Sequence, residues 1–396
     1  MATVAPPVSF DNTAVAFSTR TDAELYKMYA LFTAMNSTTL VKTGERFLHF
    51  AQRLHLPVRF VLKPTIFDHF CGGECLSDVD KTIRELAANN TGTILDYSVE
   101  GAGTEQSFDA TRDEILRTIG KAKDHPHLPF AVFKTTGLVP VSLLEKVQQG
   151  KELSADERAA FERGRDRVND LCRHAHSSNV RILIDAEESW LQDTIDNLAY
   201  AMMERYNQQK VIVYNTYQFY RHDRLQVLQR DYENALSGNY HLGVKLVRGA
   251  YMEKERERAQ EKGYPSPINS TKAETDQLFD AALRFCTEHL DHIALCSGSH
   301  NEQSNYLLLQ LMEKHKIAPA DERVYFAQLY GMSDNLSFNL ARAGYHVAKY
   351  VPYGPVEKVI PYLIRRAEEN TAIAGQSSRE LTLIKKEIER RKQAKG

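Results

Sequence analysis

The sequence predicts an α/β protein: a closed (β/α)8 barrel of the TIM type with an N-terminal helical arm. Three observations predict it. Eight short β-rich runs recur between residues 92 and 351, each bounded by Gly, Pro or polar residues. An amphipathic stretch follows every run, so strand and helix alternate eight times. No Gly-x-Gly-x-x-Gly follows the first run, which removes the main support for an open dinucleotide-binding sheet. Parallel strands with right-handed crossovers form either an open doubly wound sheet or a closed barrel. Eight consecutive units over roughly 280 residues favour closure.

The elements follow in order. Residues 1–12 are rich in Pro and Ala and are expected to be loose. From Asp22 to near Leu54 the pattern is helical. Leu25, Met28, Tyr29, Leu31, Phe32 and Met35 form an apolar stripe at spacings of three and four. Thr39-Leu40-Val41 and Phe47-Leu48-Phe50 continue it. Leu56 to Phe70 is apolar, interrupted by Pro64 and ended by Gly72-Gly73. Residues 1–90 are therefore assigned to the helical arm.

The predicted strands are Gly92–Tyr97, Phe130–Thr135, Val180–Asp185, Lys210–Thr216, Leu242–Arg248, Ile293–Ser297, Val324–Leu329 and His346–Val351. Amphipathic helices are expected at 108–122, 155–178, 188–207, 221–237, 271–290, 301–316, 335–343 and 355–373. The barrel domain is thus placed at 91–375. Gly249 and Gly344 are isolated glycines and carry no phosphate-loop signal. Residues 376–396 form a charged tail ending in KKEIERRKQAKG, expected as a fraying helix. The plain reading of that tail is a solvated cap; the sharper one is a basic contact with anionic lipid head groups.

Composition narrows the function. A formal net charge of -2 gives no basic field, which argues against nucleic acid as a partner. The five cysteines form no disulfide framework and suggest a reducing compartment. Cys71 and Cys75 lie four apart with no second pair at zinc spacing, so no metal is expected. No run reaches the ~18 apolar residues a membrane span needs. The first residues lack a basic start followed by an apolar block, and Asp11, Asp22 and Glu24 weaken a transit-peptide reading. The expected location is the cytoplasm, with peripheral attachment to the inner membrane as the alternative.

In such a barrel the chemistry sits at the C-terminal ends of the strands. That rule selects Lys134, Asp185, Asn215, Tyr217, Gln218, Lys245, Arg248, Tyr251, His300, Gln328, Leu329 and Tyr350. Cations in apolar strands need an anion. Lys134, Lys245 and Arg248 therefore imply an anionic ligand, or pairing with Asp185 and Glu187. On the last helix, Tyr362, Arg366 and Glu369 fall on one stripe with Arg365 on its flank. Two guanidiniums there suit a ligand carboxylate; an exposed surface face is the plainer alternative. Pro361 marks the start of this helix or a kink in it. Two further readings stay open: a Schiff-base lyase using Lys134 or Lys245, and a non-catalytic barrel that binds an anionic metabolite.

Six segments then point further: IDAEES (184–189), KLVRGAY (245–251), SHN (299–301), AQLYGM (327–332), YVPYGP (350–355) and YLIRRAEEN (362–370). In register, they resemble the signature segments of proline dehydrogenases over roughly residues 60 to 375. NTYQ (215–218) and KLVRGAYM (245–252) are similar to the monofunctional, mitochondrial-like branch. The resemblance implies FAD and oxidation of L-proline to Δ1-pyrroline-5-carboxylate, with hydride passing from C5 to flavin N5 and electrons going on to a quinone.

It also implies roles. Arg365, Arg366 and Lys134 would clamp the carboxylate, and Tyr350, Tyr362 and Leu329 would pack on the ring. Asp185 would hold one of the arginines and the surroundings of Tyr350. Lys245 would lie near N5 and Arg248 near the ribityl or pyrophosphate. Asn215, Tyr251, His300, Asn301, Gln328 and Glu369 would complete the cofactor site. Asn215 stands where bifunctional members have Gln, Lys245 where they have Arg, and Met252 where they have an aromatic near the adenine. The nearest rival is hydroxyproline dehydrogenase, in which the counterpart of Tyr350 is smaller. The bulk of Tyr350 favours proline.

Overall fold

The computed structural model describes residues 8–37, 39–40, 43, 59–99, 103–372 and 376–395. Eight parallel strands close into a barrel in sequence order. They are β1 (Gly92–Tyr97), β2 (Phe130–Lys134), β3 (Arg181–Asp185), β4 (Val213–Gln218), β5 (Leu242–Val247), β6 (Ile293–Gly298), β7 (Val324–Leu329) and β8 (Val347–Tyr353). Closure is made by β8 on β1, in register from Gly92 against Ala348 to Tyr97 against Tyr353.

Strand alternation builds two cores. Interior positions Ile94, Phe130, Val132, Leu183, Tyr214, Ala294, Cys296, Tyr325, Ala327, Ala348 and Tyr350 fill the lumen. The opposite faces, including Leu95, Ile182, Ile184, Val244 and Phe326, pack under the helices. The Phe130 ring meets Tyr214 and Tyr325 edge-on at 5.4 and 4.9 Å, and Arg181 lies over Phe130 and Tyr325. These side chains plug the N-terminal end of the barrel.

The expected helices appear with ends shifted by a few residues, several fixed by capping boxes such as Thr104/Ser107, Ser154/Glu157 and Thr271/Glu274. Three further helices are Asp80–Ala87, Val141–Gln148 and Met252–Lys262. The last, MEKERERAQEK, carries no apolar stripe to betray it. Tertiary partners hold it instead: buried Glu255 accepts from the Ser189 N–H and hydroxyl at 2.6 Å each, and Arg258 lies 4.2 Å from the Trp190 ring centre.

Three expectations about the flanks need correction. Residues 8–12 are tied down: Phe10 is buried, its N–H donates to the Tyr306 hydroxyl, and its carbonyl accepts from Asn335. Pro64 does not break the helical run; a π-turn at Lys63–Phe67 carries it from Arg59–Leu62 to Asp68–Phe70. The tail is not a solvated helix: Gln376–Gln393 buries Leu383 and Ile384 against Phe17, Leu25, Met28 and Phe32 of the arm. Arg391 fastens it by donating to the Phe17 and Arg20 carbonyls at 2.8 Å and to Asp22 at 2.9 Å. The arm helix Asp22–Met35 matches its stripe; the Phe47-Leu48-Phe50 continuation lies outside the described residues. No helix among the described residues is long and apolar enough to cross a membrane.

Candidate active site

Asp185 ends β3 on the interior face and is buried. Side chains from three other strands converge on its carboxylate. Lys245 of β5 donates to Oδ1 at 2.6 Å. Lys134 of β2, its register neighbour, donates to Oδ2 at 3.4 Å. The Tyr350 hydroxyl of β8 donates to the same oxygen. Lys245 Nζ also lies 4.6 Å from the centre of the Tyr350 ring, which adds a cation–π attraction.

The electrostatics follow from this packing. Burial alone would raise the Asp185 carboxyl, but Lys245 and Lys134 outweigh it and hold it below its ordinary range. Burial acts to lower the Lys134 ammonium, while Asp96 and Asp185 hold it above its usual value. Burial, then the charges of Asp185 and Asp96, push the Tyr350 hydroxyl well above its ordinary range. It therefore stays a protonated donor.

Asp96 was missed by the sequence reading. It shares the interior face of β1 with Ile94, is buried, and accepts from the Ser98 hydroxyl. The strand-end rule picks it out once applied to the first strand as well. Glu187 is a second anchor. It accepts from the Thr136 N–H at 3.0 Å and the Thr136 hydroxyl at 2.5 Å, joining the loops after β2 and β3. Burial pushes its carboxyl up to about 7.

The helix Val356–Ala372 roofs this mouth. Tyr362 is within electrostatic reach of Tyr350 on β8, Arg365 of Tyr251 after β5, and Arg366 of His300 after β6. The Arg366 guanidinium lies 5.2 Å from the Tyr362 ring centre. Tyr362 and Arg366 are only 7% and 6% exposed, so this stripe is not a solvated face. Pro361 sits within the helix. Leu329 touches both the lumen cluster and the cluster under the roof. The Glu369 side chain lies outside the described residues.

Other expected cofactor contacts are placed elsewhere. Asn215 turns out of the lumen and donates to Asp196 of the helix Ser189–Tyr206 at 2.8 Å. Gln328 also turns outward, between the Ser299 carbonyl and the Ser337 hydroxyl. The reason is parity: Asn215 pairs with outward Val244, while Thr216 pairs with inward Lys245. Thr216 and Gln218 thus share the interior face of β4 with Tyr214. Asn301 caps the helix Glu302–Lys314.

Arg248 is held by Asp276 at 2.7 Å and by the Ser299 and Ser304 hydroxyls at 2.8 and 2.9 Å. His300 has both ring nitrogens engaged. Leu329 N–H donates to Nε2 at 3.3 Å, so Nδ1 bears the proton and faces the Ser333 hydroxyl at 2.8 Å. Burial, then Lys349, Arg366 and Arg248, lower this imidazole to about 3, which keeps it neutral. Burial raises the Tyr251 hydroxyl, which lies between the charges of Lys134, Glu187, Glu188 and Arg365.

A (β/α)8 barrel whose mouth gathers lysines and arginines around a buried carboxylate, under an aromatic and cationic roof, is built to hold a small anionic molecule. The family described as Proline dehydrogenase matches residues 79–379, and the chain belongs to that family. Proline dehydrogenase 1, mitochondrial, of Dictyostelium discoideum is 33% identical, across 96% of this chain and 74% of that protein. The Homo sapiens protein of that name is 41% identical across 79% of this chain and 51% of its own length. Carbapenem antibiotics biosynthesis protein CarD of Pectobacterium carotovorum is 35% identical, covering 81% and 83%. The crystal structure of proline utilization A from Bdellovibrio bacteriovorus shares the fold, with a TM-score of 0.71 at 20% identity. It matches 92% of this chain, which spans only 38% of that longer protein.

Proposed function

We propose that the chain oxidises L-proline to Δ1-pyrroline-5-carboxylate with FAD as cofactor. One observation carries this reading: Lys134, Lys245 and Tyr350 meet on Asp185 beneath the helix that bears Tyr362, Arg365 and Arg366. Arg365, Arg366 and Lys134 hold the proline carboxylate by charge-assisted hydrogen bonds. Tyr350, Tyr362 and Leu329 pack on the ring and aim C5. Asp185 holds Lys134 charged, accepts from Lys245 and fixes the Tyr350 hydroxyl, which keeps the ring of Tyr350 out of the space proline needs. That same bulk disfavours a hydroxylated ring.

The residues present fit FAD. Arg248, the Ser299 hydroxyl and the first turn of the helix Glu302–Lys314 offer a guanidinium, a hydroxyl and a helix N-terminus, a donor set suited to a pyrophosphate, while Ser304 supports Arg248 and gives its own proton to Asp280. Tyr251, Thr216, Gln218 and Lys245, at the ends of β4 and β5, would hold the cofactor's reacting end. FAD, when bound, supplies the hydride acceptor. Lys245 and Lys134 would set positive charge beside the bound group. The proline nitrogen must be neutral at that moment, so that its lone pair supports loss of hydride from C5. Passage of the electrons to a quinone, at the surface of a membrane, belongs to the same reading.

The test is a visible spectrum taken anaerobically before and after adding L-proline. Flavin absorbance that bleaches on addition is the expected result. A flavin-loaded protein whose spectrum proline leaves unchanged would overturn the assignment.

A further inference from the structure

The loop Leu329–Ser333 links the lumen to the roof, and it is held from behind by both flanks of the chain. His69 of the arm donates through Nε2 to the Gly331 carbonyl at 2.8 Å. Gly331 has φ +77, and a Cβ there would meet the His69 carbonyl oxygen at 2.3 Å. Lys349 of β8 donates to the Met332 carbonyl and pairs with Asp334 at 2.8 Å. Ser333 adopts a left-handed conformation (φ 52, ψ 42), which is strained for a residue with a side chain. Its N–H donates to the carboxylate of Glu380, which lies in the C-terminal helix and is 4% exposed. The Ser333 hydroxyl then receives His300 Nδ1–H, and His300 Nε2 receives the Leu329 N–H.

We propose that Glu380 is a positioning residue for the active site, holding Ser333 in its strained conformation and thereby setting His300 and Leu329 at the mouth. Glu380 touches neither substrate nor the reacting atoms; it acts through the loop. It lies one residue beyond the stretch that matches the family. The inference assigns the C-terminal helix a task in shaping the site, and it rests on the proline reading only for its kinetic readout.

Glu380→Ala in the full chain tests it. Loss of the acceptor for a buried N–H frees Ser333 to relax. The expected result is a KM for L-proline raised about tenfold, with kcat within about twofold, and faster amide exchange across 329–333. Glu380→Gln keeps an oxygen that can accept from Ser333 and should restore KM to within about twofold of the parent. Ser333→Ala, which removes only the His300 link, should raise KM in the same direction and covers the case in which Glu380→Ala does not fold. A Glu380→Ala protein with lowered Tm but parental KM and parental loop exchange would overturn the proposal. Exchange is read without substrate, so a failure of proline turnover leaves the positioning test intact.

Discussion

Replacing Asp185 by Asn removes the charge on which two lysines and a tyrosine converge. Lys245, with its side chain 8% exposed, then loses the carboxylate oxygen that lay 2.6 Å away. Lys134, with its side chain 34% exposed, can recover water and contributes less. Stranding one buried partner of an ion pair costs about 3–5 kcal/mol. Unfolding entropy of about 2.1 cal/mol/K per residue means that each kcal/mol moves Tm by about 1 °C in a chain of this size. A drop of about 3–6 °C is therefore expected for Asp185→Asn.

Adding Lys245→Met removes the stranded charge at similar volume. The double variant should recover at least about half of the loss, a coupling of about 2 kcal/mol. Thermal unfolding of the four proteins, followed by circular dichroism, gives the cycle. Recovery in the double variant supports a buried pair. Equal losses in the single and double variants would show that Lys245 does not depend on Asp185, and the account of the mouth would fail.

Other expectations follow from the roof and the tail. Arg366→Met should raise KM for L-proline by an amount worth on the order of 2–4 kcal/mol, with kcat changed far less; steady-state kinetics check it, and unchanged KM would remove Arg366 from the clamp. Glu387 lies between Arg390 and Arg391, each 2.8 Å away. Burial would raise its carboxyl, but these arginines outweigh burial and lower it to about 2. Its folded-state value is depressed, so its stabilisation is fully present above about pH 4.5 and is lost as pH falls through about 2. Glu387→Gln should therefore be less stable than the parent at neutral pH, with the gap closing by about pH 2; acid titration followed by circular dichroism measures it.

Much of the barrel was legible because its signals are local. Runs such as VRILID and VYFAQL alternate faces, and the amphipathic stretches between them repeat at helical spacing. The strand-end rule therefore singles out Lys134, Asp185, Lys245 and Tyr350 from the sequence alone. Where the sequence misled, the deciding force was distant. Parity along β4, set by pairing with β5, sends Asn215 outward and Thr216 inward. The helix Met252–Lys262 is polar all round and stands on Glu255 and Arg258 contacts that no periodicity shows. Phe10 reads as part of a loose start but is pinned by Tyr306 and Asn335, hundreds of residues away.

The chain by itself determined the eightfold strand–helix order, the ring of cations at the strand ends and the cationic stripe of the last helix, because alternation and helical spacing are properties of neighbouring residues. Tertiary structure alone decided that Asp185 is the common partner, that the terminal helix lies buried on the arm, and that Glu380 reaches the loop after β7. Those outcomes depend on which charges are removed from water together, and burial is set only once the whole chain has closed on itself.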